Sequence, residues 1–195
     1  MNAVADDAPI QRAVSAGDVA GATTATLRTY GAEIYGFLLA LARDEAVAAD
    51  AFSIFCERLW STLDRFAWRC SLRGWCYRLA RNALVDVRRG TKLAIPLSQI
   101  GEVAEQIRTQ TATFLRTETK NELRLLRETL PAEDQELLVL RIDRDLPWDE
   151  LARVFAGDDL EDDALARESA RLRKRFQLVK QQFVALAKER GLKPS

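Results

Sequence analysis

Apolar residues recur at helical spacing along almost the whole chain, and no stretch shows the alternation typical of a strand. In residues 26–42 and 46–63 the apolar positions fall three or four apart, which places each set on one face of a helix. These positions are Leu27, Tyr30, Ile34, Phe37, Leu38 and Leu41, followed by Ala49, Phe52, Cys56, Leu59 and Leu63. The pattern predicts two amphipathic helices, each with one buried face.

A third helix is predicted over residues 72–89, after an irregular segment, 64–70, that is rich in aromatic residues and arginine. At 100° per residue its two sides differ in character. The apolar side carries Leu72, Trp75, Cys76, Leu79, Ala83 and Val87, and the other side carries Tyr77, Arg78, Arg81, Arg88 and Arg89. The sequence therefore predicts a helix with a buried apolar face and an exposed basic face that ends at Gly90.

The second half of the chain is also predicted to be helical. Helices are expected over residues 112–129, 132–142 and 148–156, and from the acidic stretch 158–163 to about residue 190. Residues 91–111 contain Pro96 and Gly101 and a weakening apolar pattern, which indicates a flexible linker with room for a fragment of helix. We therefore predict an all-α protein with an N-terminal extension (1–22), two small helical domains (23–92 and 112–192) and a linker (93–111).

Charge is segregated along the chain, although the 29 basic and 29 acidic residues give a net charge of zero. Residues 65–92 hold eight basic residues and one acidic residue, and residues 167–190 hold eight and two. Two basic blocks in an otherwise acidic protein are typical of two separate elements that contact phosphate groups.

The residue types present exclude several kinds of chemistry. Histidine is absent, which removes histidine-based triads and the common catalytic zinc sites. Cys56, Cys70 and Cys76 are irregularly spaced, so we expect reduced thiols, and we expect no metal, cofactor or catalytic residue. No apolar run is long enough for a membrane span, and the N-terminus does not resemble a secretion signal, so a cytoplasmic protein without a membrane partner is expected.

The segment 60–89 combines arginines, which bind phosphates, with aromatic residues, which stack on unpaired bases. It resembles region two of the extracytoplasmic-function branch of bacterial sigma factors, through Leu59-Trp60, Leu63-Asp64-Arg65-Phe66 and the run from Leu72 to Arg89. The resemblance implies contacts with promoter DNA near the start site and a pocket for an extruded base within residues 66–71. The implied DNA-binding residues are Arg65, Phe66, Arg69, Ser71, Tyr77, Arg78, Arg81, Asn82, Arg88 and Arg89.

Residues 130–141 and 146–152 resemble the opening of region four of the same family and the first helix of its helix-turn-helix. The long helix that follows would be the recognition helix, with an apolar stripe opposite a basic face. The implied contacts with the upstream promoter element are Arg167, Ser169, Arg171, Arg173 and Lys174. The acids of the stretch 158–163 would repel DNA phosphates, so this turn is expected to point away from the duplex.

The second helix departs from the family pattern. The family usually carries a cluster of acids there for a basic coiled coil of the polymerase, whereas this sequence has Val47-Ala48-Ala49-Asp50. The residues expected to contact polymerase are Asp50, Ser53 and Glu57. A subset of the family that lacks these acids is linked to Ser/Thr kinases, and the resemblance implies phosphorylation at Ser53, or else at Ser61 or Thr62.

The partners implied are the RNA polymerase core, through its beta-prime clamp coiled coil and its beta flap, promoter DNA, a Ser/Thr kinase and, as another possible regulator, an anti-sigma factor. Two other interpretations stay open. A dimeric helix-turn-helix regulator without a polymerase role would explain residues 130–190 but would leave the block 60–89 without a function. A small thiol or carboxylate enzyme would need a convergent polar cluster that the sequence does not indicate.

Overall fold

The computed structural model describes residues 6–90, 101–117 and 122–190. Every regular element in these ranges is helical, which confirms the predicted all-α class. The chain divides into two compact units between residues 117 and 118. No helix among the described residues combines the length and the apolar character that crossing a membrane requires.

Unit 1 is built around a long central helix. Its helices are α1 (Ala8–Ser15), α2 (Val19–Ala42), α3 (Glu45–Thr62), α4 (Leu72–Arg88) and α5 (Gly101–Thr117), with a 3-10 turn, Leu63–Arg65, after α3. Each of α2, α3 and α4 begins at a side chain that accepts hydrogen bonds from the free backbone amides of the first turn. These N-cap residues are Asp18, Asp44 and Ser71. Short polar residues in the sequence thus fix where the three main helices start.

The core of unit 1 lies between α2, α3 and α4. Phe37 and Leu38 of α2, Phe52 and Phe55 of α3, and Leu84 of α4 are all almost fully buried. The ring of Phe52 packs 5.1 Å from Tyr35 and 5.6 Å from Phe55. Because α4 packs against both α2 and α3, its buried surface is wider than a single stripe.

The N-terminal part of the fold begins earlier than predicted. Residues assigned to an extension form α1 and the first turn of α2, and Ile10 is buried. Ala22, Thr23 and Thr26 are also buried on α2. Small and hydroxylated residues contribute little to an apolar pattern. The spacing of large side chains therefore predicted this helix only from residue 26.

The structure differs from the predicted linker in its second half, where α5 begins at Gly101. Ala104 and Ile107 are buried, and α5 packs along α2 as part of unit 1. Within the predicted helix 112–129, the structure gives the end of α5 and a short helix, α6 (Glu122–Arg127). Residues 118–121 lie outside the described residues, as do 91–100.

Unit 2 contains α6, α7 (Ala132–Leu138), α8 (Trp148–Ala156) and α9 (Asp162–Glu189), with a π-helical turn, Val139–Asp143, after α7. Its core includes Leu130, Leu138 and Val179, flanked by the half-buried Phe176, Phe183 and Leu186. Arg175 ties α9 to the first turn of α7. Its Nε lies 2.6 Å from Asp134 Oδ1 and its Nη1 lies 2.5 Å from Glu133 Oε2.

Candidate nucleic-acid interface

A row of basic and amide side chains runs along the outer side of α4. Arg78 and Arg81 are half-buried, and Asn82, Arg88 and Arg89 are exposed. Leu79, Ala83 and Leu84 are buried on the other side of the helix. The predicted basic face therefore exists, and it offers several guanidinium groups along one side of unit 1.

The loop before α4 is organised by three aromatic rings. Phe66 stacks on Trp75 with the ring centroids 4.6 Å apart and the planes at 23°, and it lies 4.9 Å from Trp68. Phe66 and Trp75 are buried, whereas Trp68 is half-buried. Trp68 has φ +56°, a left-handed conformation that is uncommon for a bulky residue and is held by its surroundings. Trp68 is thus the aromatic group of this cluster that remains open to solvent.

Three predicted DNA contacts of unit 1 take other roles. Tyr77 is fully buried, so its assignment to the exposed basic face was wrong. Phe66 keeps only 7% of its surface exposed and supports Trp75 and Trp68 from within. Ser71 is half-buried, and its hydroxyl caps α4 by accepting a hydrogen bond of 2.9 Å from the amide of Gly74. Arg65 and Arg69 are exposed, and the Arg65 Nε lies 3.6 Å from Asp64 Oδ1.

Sequence reasoning missed a polar cluster between α2 and α4. Glu33 Oε1 on α2 accepts hydrogen bonds from Arg73 Nε at 2.9 Å, from Arg73 Nη2 and from the hydroxyl of Tyr77. Burial opposes the charge on Arg73, but the hydrogen bonds to Glu33 and its negative charge raise the pKa of Arg73 overall. The sequence held one indication of this cluster, because Glu33 lies between Tyr30 and Phe37 on a helix face that is otherwise apolar.

Two arginines next to the basic face have structural partners. Arg58 Nη2 on α3 lies 2.5 Å from Asp86 Oδ2 on α4. Arg88 Nη2 donates a hydrogen bond of 2.8 Å to the carbonyl oxygen of Leu41, near the end of α2. Carbonyls in the last turn of a helix lack intrahelical donors, so Arg88 helps to complete α2 as well as presenting charge.

The predicted polymerase contacts lie on the outer side of α3. Asp50 is exposed, and Ser53 and Glu57 are half-buried. The Ser53 hydroxyl donates to the carbonyl oxygen of Ala49 at 2.9 Å, and the Thr62 hydroxyl donates to that of Arg58 at 2.6 Å. Ser61 is the exposed one of the three candidate phosphorylation sites.

On α9, the basic residues of the predicted recognition face are exposed. Among the described residues, the side chains of Arg167 and Lys174 form no ion pair or hydrogen bond. Arg171 forms two hydrogen bonds to Glu168, at 2.8 and 2.6 Å, and these lower the pKa of Glu168. The Arg173 guanidinium lies over the ring of Trp148 at 5.7 Å from its centroid.

Ser169 is not part of that exposed face. Its side chain is buried, and its hydroxyl donates to the carbonyl oxygen of Trp148 at 3.2 Å. Its expected place on the exposed face of the recognition helix was therefore wrong, and the residue joins α9 to the start of α8. Two residues of the acidic stretch, Asp162 and Asp163, form the first turn of α9, where their charge suits the helix dipole.

The cysteines are free thiols in this structure. Cys56 and Cys76 are buried, and burial raises the pKa of both thiols. Cys70 is half-buried. Within the described ranges, no group of three or more cysteine or carboxylate side chains is arranged to hold a metal ion.

Comparison with known families gives one match. Residues 26–93, about a third of the chain, match the family model of sigma-70 region 2. No curated protein and no solved structure shows significant similarity to the chain. The matched segment holds both the aromatic loop and the basic side of α4. The match supports a role as an RNA polymerase sigma factor, with the polymerase core and promoter DNA as partners.

Proposed function

We propose that the chain is a transcription initiation factor of the extracytoplasmic-function branch, in which unit 1 binds polymerase and the opened promoter and unit 2 binds an upstream element. The observation that carries this proposal is the combination of the half-buried Trp68 with the basic side of α4 inside the segment that matches sigma-70 region 2. Arginines bind the backbone of a DNA strand, and an accessible indole stacks on an unpaired base.

In unit 1, Trp68 is the proposed platform for a base that has left the duplex. Unstacking a base costs a few kcal/mol, so the loop must already be shaped to receive it. The stack of Phe66 on Trp75 supports the loop in this shape, because Trp68 packs against Phe66. Arg69, Arg81 and Arg89 are the proposed phosphate contacts beside it.

In unit 2, α9 is the proposed recognition helix in the major groove. Arg167, Arg171 and Lys174 share its exposed side, and α8 supports the helix from behind. Trp148 at the start of α8 contacts both Arg173 and Phe176, and it accepts the hydrogen bond from Ser169. This support would hold α9 at a fixed angle to the DNA.

Polymerase binding is proposed for the outer side of α3, through Asp50, Ser53 and Glu57 on the beta-prime clamp coiled coil, with unit 2 on the beta flap. Asp50 and Glu57 are two acids, fewer than the family usually carries on this side of the helix. We propose that a Ser/Thr kinase supplies the missing charge, since a phosphate adds roughly −1.5 to −2 charges beside Asp50 and Glu57. An anti-sigma factor that covers the same side would be the other form of control.

The accessibility of the three candidate hydroxyls differs. Ser53 is the best placed between the two acids, but its half-burial in the middle of α3 requires local opening of the helix for a kinase to reach it. Ser61 is exposed in the last turn. Transcription assays with Ser53→Ala, Ser61→Ala and Thr62→Ala proteins, each with and without kinase treatment, distinguish the sites. Equal output from all treated and untreated proteins would remove the kinase from the proposal.

A dimeric helix-turn-helix regulator remains the second candidate, because α8 and α9 alone have the form such a protein needs. The two functions predict different complexes. The proposed initiation factor should co-elute with purified core polymerase and start transcription from DNA selected by the complex. A protein that binds duplex DNA as a dimer and never associates with core polymerase would contradict the proposal.

A further inference from the structure

We infer that Glu33 is a positioning residue for single-stranded DNA, which holds the aromatic loop in its binding shape through Arg73 and Tyr77. The inference rests on the proposed function, because it assumes that Trp68 receives an unpaired base. Glu33 itself lies on α2 and is not part of the basic side of α4.

The geometry gathers three donors on one oxygen. Both Arg73 and Tyr77 lie in the first two turns of α4, and both donate to Glu33 Oε1. Their position is further fixed by the Tyr77 ring, which packs edge-on to Phe37 with the centroids 5.1 Å apart. Glu33 thus ties the beginning of α4, from which the aromatic loop extends, to the middle of α2.

The connection from this cluster to the loop is short. Trp75 lies in α4 between Arg73 and Tyr77, Phe66 stacks on Trp75, and Trp68 packs on Phe66. Trp68 occupies a left-handed conformation that its own side chain disfavours. Its orientation therefore depends on the rings beneath it, and a shift of the first turns of α4 would be passed to Trp68.

Stability alone does not require a charged pair at this place. The side chains of Arg73 and Glu33 are 21% and 24% exposed, and a partly buried ion pair can often be replaced by apolar residues without loss of stability. The edge-on contact of Phe37 with Tyr77 already packs α2 on α4. The Glu33 carboxylate adds a fixed orientation, since it determines which side of α4 faces α2.

The matched control is the ion pair between Arg58 and Asp86. It also joins α4 to a neighbouring helix, and its side chains are 28% exposed, close to the values for Arg73 and Glu33. It lies near the opposite end of α4 from the aromatic loop. Removing it tests what the loss of any interhelical ion pair does to unit 1.

The test uses the full chain in complex with core polymerase. A single-stranded oligonucleotide is first selected by the wild-type complex from a random-sequence pool, and its affinity is then measured for Glu33→Ala, Glu33→Gln and Asp86→Ala proteins. Glu33→Ala should weaken binding about ten-fold, the order expected when one stacked base is lost. Glu33→Gln, which keeps an acceptor oxygen, should have an affinity between those of the wild type and Glu33→Ala, and Asp86→Ala should bind no more weakly than the wild type. Affinity for core polymerase should stay the same in all four proteins.

Four other outcomes would contradict either this inference or the proposed function on which it rests. Wild-type affinity in Glu33→Ala contradicts the positioning role. Equal losses in Glu33→Ala and Asp86→Ala, or a parallel loss of core binding, make Glu33 a general structural residue. If the wild-type complex selects no oligonucleotide at all, the result contradicts the proposed function itself rather than the role of Glu33. If Glu33→Ala does not fold, Glu33→Gln provides the test. A Glu33→Gln protein that has the affinity and the melting temperature of the wild type would contradict a role that depends on the charge of Glu33.

Discussion

The side chain of Ile107 on α5 occupies the space next to Gly31 of α2 that a larger residue would need. A Cβ atom added to Gly31 would lie 2.6 Å from Ile107 Cδ1, closer than real carbon atoms approach. Glycine lowers helix stability, so its presence within α2 has a packing reason here. The absence of a side chain at residue 31 allows α5 to lie directly on α2.

This contact predicts that the effect of Gly31→Ala on the free energy of unfolding depends on the residue at position 107. Ile107→Ala should lower the free energy of unfolding of unit 1 by about 2–4 kcal/mol, because it leaves a cavity over Gly31. Gly31→Ala should be neutral or destabilising in the wild type, where the new methyl group meets Ile107. In the Ile107→Ala background the same change should be stabilising, since the methyl group fills part of the cavity and alanine favours a helix. Denaturant unfolding of the four proteins measures the coupling, and additive effects would contradict the contact.

Arg88 and Arg89 form a matched pair for separating charge from structure. Both are exposed at the end of α4, but only Arg88 donates to the carbonyl oxygen of Leu41. We expect either alanine variant to weaken promoter binding evenly across sequences and to lower the salt slope of binding by about 0.9, as the loss of one phosphate contact does. Arg88→Ala should in addition lower the free energy of unfolding by about 1 kcal/mol. Salt titrations together with melting curves check both statements, and an unchanged salt slope in both variants would remove these residues from the interface.

The pair formed by Glu168 and Arg171 predicts that removing an acid strengthens DNA binding. Glu168→Gln should free Arg171 for DNA and raise affinity several-fold, with little effect on stability because Arg171 is 55% exposed. Arg171→Ala should cost about 1–3 kcal/mol at the upstream element and change the base preference there. Acidification is a poor substitute for the mutation, because the lowered pKa of Glu168 keeps the carboxylate charged, and the pair intact, at a more acidic pH than an ordinary glutamate would allow. Lys180→Ala is the control for loss of charge on α9, and a similar shift in base preference there would contradict the assignment.

Because two of the three cysteines are buried, we expect one reactive thiol in the folded protein. Because burial raises the pKa of Cys56 and Cys76, both remain neutral near pH 7, and Cys70 should be the first to react with an alkylating reagent. Mass spectrometry should find one adduct on the native protein and three after denaturation. Equal rates at Cys70 and Cys76 would contradict the buried position of Cys76.

The same burial sets a dependence of stability on pH. Thiols of the unfolded chain ionise near pH 8.5, whereas those of the folded chain resist ionisation. The contribution of Cys56 and Cys76 is therefore fully present below about pH 8.5 and is lost as pH rises further. A Cys56→Ala variant should show a shallower decline between pH 8.5 and 10 than the wild type, and identical slopes would contradict the shift at Cys56.

The helical pattern and the segregation of charge could be predicted from the sequence because both are local properties. The spacing of apolar residues places α3, α8 and α9 close to their predicted bounds, and the basic side of α4 follows from the same spacing. The sequence also pointed to the aromatic loop, although it could not show that Trp68, rather than Phe66, is the ring left open. That distinction depends on Trp75, which reaches Phe66 only once α4 has folded back on the loop.

By itself, then, the sequence determined the all-α class and the two basic blocks, because the faces of a helix are set by residues within a few positions of each other. Tertiary structure alone decided the burial of Tyr77 and Ser169, the docking of α5 and the cluster around Glu33. A helix with two neighbours buries a wider arc than periodicity suggests, which is why Tyr77 lies inside although it falls outside the apolar stripe. Glu33 and Arg73 are forty residues apart in the chain, and only the packing of α2 on α4 brings the carboxylate to its donors.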